Sequence, residues 1–134
     1  MTKKISWEEA PDIKRRLLLL IKIVPVDWVK ASRIICFRSM GAKTRAYARI
    51  WGLSKIWQQA LTLEPAYILE VISERYDTLA ESERDKILLH ELTHIPKNFS
   101  GALLPHIRRG KRSFGRRVDE LIYRYLQYSQ KKIR

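Results

Sequence analysis

The chain has 134 residues, enough for one domain, 1–134, with a core that needs no cross-links, and its single cysteine excludes a disulfide framework within the chain. Lys and Arg outnumber Asp and Glu by 27 to 14, a formal net charge of +13, so the surface attracts polyanions and nucleic acid enters as a candidate partner. The apolar run Leu17–Ile21 is interrupted by Lys22, far short of the about 20 residues that span a bilayer, and no small-residue cleavage site follows it, so the chain is expected to be soluble and cytoplasmic, with no membrane partner.

Pro11 fits the first turn of a helix whose apolar positions Ile13, Leu17, Leu20 and Ile21 recur at helical spacing, and Pro25 forbids its extension. Ser32 to Arg38 is rich enough in β-branched and aromatic residues for a strand, with Cys36 as a buried thiol, and Ser39 to Ala42 supplies a turn. A weaker strand runs from Tyr47 to Trp51 and closes at Gly52. Ser54 is placed to cap a short helix through Leu61. Ala66 to Ile72 is the clearest strand, with Tyr67, Leu69 and Val71 on one face and Ile68, Glu70 and Ile72 on the other.

Ser82 to Asp85 resembles an N-terminal capping pattern ahead of Ile87-Leu88-Leu89, so a helix is expected to carry Lys86 to His94. Pro96 disfavours helical geometry at Ile95 and stops it there. Lys97 to Pro105 reads as loop. A final helix is expected from about Arg116 to Ser129, where Val118, Leu121, Ile122, Tyr125 and Leu126 form an apolar stripe; it belongs to a basic C-terminal segment, 110–134.

All three histidines fall between positions 90 and 106, and two of them frame His90-Glu91-Leu92-Thr93-His94. Residues four apart on a helix share a face about 6 Å apart, from which two imidazoles converge on one zinc ion at about 2.0–2.1 Å. Glu91, rotated about 100° from His90, reaches a water rather than the metal. Neutral imidazoles leave the ion most of its charge, so the pKa of a bound water falls toward about 7 and a neighbouring carboxylate takes its proton. That assigns Zn2+ as cofactor and Glu91 as general base of a peptidase of the HExxH type. His106, after a loop of eleven residues, is the choice for third ligand. Glu120 on the last helix is the alternative, and Asp119 or Glu120 could instead accept a hydrogen bond from an imidazole N–H.

The stretch from about Phe37 to His106 resembles a metallopeptidase family of archaea and phages. The likeness rests on Arg38-Ser39-Met40-Gly41, Ala48-Arg49-Ile50-Trp51, Ala66-Tyr67 with Glu70-Val71-Ile72-Ser73, and His90 to Pro96 with Phe99-Ser100-Gly101 and Pro105-His106. Ala42 stands where the family usually has serine. The resemblance implies an α+β, minimal zincin-like fold, a small mixed sheet packed on the HExxH helix with flanking helices. It also implies an edge strand beside the cleft, for which Ala66 to Ile72 is the best candidate, able to bind an extended peptide as an added strand. The layout is also similar to that of SprT-like proteases, which act on proteins attached to DNA.

Arg108, Arg109, Lys111, Arg112, Arg116 and Arg117 follow His106 closely and could hold phosphates or an acidic substrate segment. Tyr123, Tyr125 and Tyr128 are expected on or near the core stripe, and Trp7, Trp28, Trp51 and Trp57 as core or helix-docking residues. The leading reading is a zinc metallopeptidase acting on a protein or peptide. The alternative is a basic nucleic-acid-associated protein, either a protease repairing DNA-linked proteins or a module in which zinc is structural.

Overall fold

In the computed structural model, which describes residues 4–105 and 111–133 and the side chains of 4–105 and 118–130, the chain runs β1 (Ser6–Glu9), α1 (Pro11–Ile23), β2 (Ile34–Met40), β3 (Ala48–Gly52), α2 (Lys55–Leu61), β4 (Tyr67–Ile72), α3 (Ser73–Tyr76), α4 (Glu81–Leu92) and α5 (Lys111–Ile133). The class is α+β. The four strands form one mixed sheet in the order β1-β2-β4-β3. β2 and β4 are parallel, with Ile34 opposite Tyr67 and Ser39 opposite Ile72, and both outer pairs are antiparallel.

One sheet face carries the core. Ile34 and Cys36 from β2, Ile50 from β3, and Tyr67, Leu69 and Val71 from β4 are buried against Ile13, Leu17 and Leu20 of α1 and Leu88, Leu89 and Leu92 of α4. This is where the helical spacing of apolar residues in α1 meets the period-two alternation of the strands. α1 starts with Pro11 in its first turn and ends before Pro25, as its prolines dictate.

β4 occupies the interior of the sheet, so the expectation that it forms the edge is corrected. Five of its six residues are buried, the pattern of a strand paired on both sides and covered on at least one face. The edges are β1 and β3, and β3 is the strand against which α4 lies. β1 lies where no strand was expected. Its four residues are all exposed, so no apolar pattern marks it; its partner β2 does.

The opposite sheet face is built around Glu70. Its carboxylate accepts from Arg49 Nε at 2.7 Å, from the Trp51 indole at 2.8 Å and from the Trp7 indole at 3.2 Å. Burial pushes this carboxyl up, but the bonds from Arg49, Ser39 and Trp51 prevail and hold it below its ordinary range. Three of the tryptophans lie outside the core, contrary to expectation, while Trp28 packs against it. Trp7, Trp51 and Trp57 are exposed and Trp28 is half-buried. Among the described residues, no helix is long and apolar enough to cross a membrane.

Candidate active site

Leu88, Leu89 and Leu92 are fully buried and press one face of α4 onto the core. A polar lock fixes the helix along its length. Asp85, also fully buried, accepts a bidentate pair from Arg16 of α1 and a 2.7 Å bond from the Tyr125 hydroxyl of α5. Asp85 is therefore not a capping residue, and the helix begins earlier than expected, at Glu81 after Ala80. Glu81 and Glu83 place negative charge in the first turn, where the helix dipole favours it.

Regular helix ends at Leu92, two residues short of His94. The last turn tightens instead. His94 N–H donates to the Glu91 carbonyl and Ile95 N–H to that of Leu92, both at 3.1 Å and both three residues back. Pro96 is the reason the chain cannot run on, and the Trp28 indole pins the turn from outside by donating to the Ile95 carbonyl at 3.1 Å. His90 and His94 still face one another, with ring centroids 5.3 Å apart and planes inclined at 73°. One ligand atom from each of His90, Glu91 and His94 lies within 4.8 Å of the others.

Glu91 and His94 have been prepared differently by their surroundings. Burial alone pushes the Glu91 carboxyl up to about 7. The His94 ring is held by Leu104, whose carbonyl lies 2.6 Å from Nδ1, while Leu104 N–H donates back to the His94 carbonyl at 2.7 Å. A carbonyl only accepts, so Nδ1 is the donor and Nε2 is the nitrogen that carries the lone pair.

The loop that delivers Leu104 is itself clamped. Tyr67, from the core face of β4, accepts from Gly101 N–H at 2.9 Å and donates to the Ala102 carbonyl at 2.7 Å. Gln58 of α2 bridges the Leu53 and Ser100 carbonyls. Gly101 has φ +93°, and a Cβ there would stand 2.3 Å from the Leu53 carbonyl; one on Gly52 would stand 2.0 Å from the Gly101 carbonyl. Two glycines are thus required where the loop crosses the end of β3. Of all this, the glycines at positions 52 and 101 are the signals the sequence offers.

Two imidazoles and a carboxylate are gathered at the end of a core helix, one imidazole locked as a donor at Nδ1, and together they could hold a metal ion. The family model described as putative phage metallopeptidase matches residues 5–121. The chain belongs to that family. Among curated proteins and solved structures, none matches the chain. Membership makes it a metallopeptidase and implies a metal, which the His90, Glu91 and His94 group could hold.

Most of the remaining expected site residues are not described. His106 lies outside the described residues, as do Arg108 and Arg109, and the side chains of Lys111, Arg112, Arg116 and Arg117 are likewise outside them. Glu120 is exposed on α5 and is not part of the His90, Glu91 and His94 group; with Asp27, Trp28, Thr93 and Lys97 it borders a shallow cavity of about 290 Å3. Asp119 is exposed. On α5 only Leu121 and Tyr125 of the expected stripe reach the core, and Tyr123 and Leu126 face solvent.

Proposed function

We propose that this metallopeptidase uses zinc held by His90, His94 and His106, and that Glu91 is the general base in hydrolysis of a peptide bond. The observation that carries the reading is the bond between His94 Nδ1 and the Leu104 carbonyl. It fixes the tautomer a ligating histidine needs and orients the ring, the usual role of a partner behind a metal ligand. The donor chemistry fits zinc, which takes imidazole nitrogen, rather than calcium or magnesium, which take oxygen. His106 follows Leu104 by two residues, within about 7 Å of extended chain, and Leu104 is hydrogen-bonded to His94 on both sides.

When bound, zinc acts as a Lewis acid that lowers the pKa of a water and polarises the substrate carbonyl. Glu91 takes the proton from the attacking water and returns it to the departing amine. Its buried carboxyl, raised to about 7, suits an acid–base group that must hold and release a proton near neutrality. β3 is an edge strand that borders α4, and we take it as the edge along which an extended peptide substrate would add as a strand. An anionic partner is proposed on the charge of +13, for which nucleic acid is the first candidate.

Replacing Glu91 with Gln tests the assignment. The variant should keep its zinc and lose on the order of 10²–10⁴ in cleavage of an unfolded protein substrate. Cleavage at the wild-type rate would remove Glu91 from the role.

A further inference from the structure

Among the described residues two surfaces expose several large apolar side chains each, a concave sheet face and a short helix. On the sheet face turned away from the helices, Trp7, Ile35, Trp51 and Ile68 are 54%, 47%, 49% and 37% exposed. They wall two adjoining concavities of about 480 and 380 Å3, which share Trp51 and Ile68 and so make one groove. Its central carboxylate, Glu70, is already paired with Arg49 and bonded to both indoles. Arg33, at the far end, donates to the Pro65 and Glu64 carbonyls. Glu9, opposite Phe37 in the register, is the acidic position at the rim. A sheet with two apolar faces and helices on one of them calls for another layer.

α2 is the second surface. None of its seven residues is buried, and Ile56, Trp57 and Leu61 are 75%, 57% and 54% exposed. Trp57 and Leu61, four residues apart, share one side of the helix with Ile56 flanking it, and Gln58 ties the helix to the Leu53 and Ser100 carbonyls. So short a helix has little stability of its own and gains it from packing its apolar side.

We propose that the chain forms a symmetric dimer in which α2 of each copy lies in the sheet groove of the other. One two-fold interface then covers both surfaces twice, helix on groove and groove on helix. At about 200 Å2 for each large side chain, the exposed fractions of these seven residues and of Leu63 amount to roughly 800 Å2 per copy. A standard stable interface takes about 800 Å2 from each partner. Three tryptophans lie within it, the side chain most enriched at interface hot spots. Its apolar centre is depleted of unpaired charge, as interface cores are. Because each copy carries +13, the dimer tightens as salt screens the repulsion, the opposite of phosphate binding.

Sedimentation equilibrium of the zinc-loaded full chain at micromolar concentration and physiological salt tests this. The expected species has twice the 15.9 kDa chain mass. The double substitution Ile56→Glu with Trp57→Glu, at exposed positions, should give the single-chain mass with an unchanged far-UV spectrum and at least tenfold weaker association. Wild-type protein at the single-chain mass throughout, or a doubly substituted chain that still dimerises, overturns the proposal. So does a monomeric wild type whose tryptophan emission responds to single-stranded DNA, since the groove would then belong to bases stacked on Trp7 and Trp51.

Discussion

A histidine binds a metal well when one ring nitrogen is committed to a donor bond and the other keeps its lone pair, and Leu104 imposes that state on His94 through a backbone carbonyl. No side-chain substitution at Leu104 deletes this acceptor, which makes it insensitive to the identity of the residue. Glu91 gains its raised carboxyl from burial alone, a property of its place on α4 rather than of a partner. Cys36 shows the same physics in a group with no part in the chemistry. It is buried in β2, and desolvation pushes its thiol up to about 11. At pH 8 the native thiolate fraction is then on the order of one in a thousand, against about a quarter for a free cysteine. Native protein should react with a disulfide reagent far more slowly than protein unfolded in denaturant, and the native rate should climb with pH until about 11. Equal rates in the two states would show that Cys36 is not shielded.

At the scale of elements, the site depends on a helix and a loop that are fixed by different means. α4 is held by leucines and by Asp85, locked to α1 and α5. The loop before Leu104 is held by the Tyr67 hydroxyl, Gln58 and the Gly52–Gly101 crossing. Tyr67→Phe keeps the ring and its edge-on contact with Phe99 at 4.9 Å but leaves Gly101 N–H and the Ala102 carbonyl without their partner. Stability should fall by about 1–3 kcal/mol, and zinc affinity by about 10–100-fold. Chelator competition separates the two effects: a loss of stability with unchanged zinc affinity would show that the loop does not set the site.

The elements that position α4 were legible in the sequence because their signals are local. Prolines bound α1, alternation marks β4, and the His90–His94 spacing marks a helix. What stayed hidden depends on tertiary partners. β1 exists because β2 offers it a ladder; β4 is central because strand order is not written in any strand's own pattern; and Asp85 looked like a cap because a buried ion pair and a capping box use the same residue type. The tryptophans misled in the opposite direction, since Glu70 supplies the N–H partners that let indoles sit exposed on a sheet.

For the whole molecule, charge and metal set the behaviour. The excess of 27 basic over 14 acidic residues predicts retention on DNA at low salt that weakens steeply as salt rises, because phosphate contacts release counterions. Absence of retention at low salt would remove nucleic acid as a partner and leave the charge as a solubility feature. The metal couples to folding as well as to chemistry, since an ion bound only by the native chain stabilises it by mass action. The proposed zinc centre is tested most directly by the metal content of the purified full chain, wild type beside His106→Ala. About one zinc per chain in the wild type, and little in the variant, is the expected result for a three-histidine site. A wild-type chain without zinc, or a His106→Ala chain that retains it in full, would contradict the assignment.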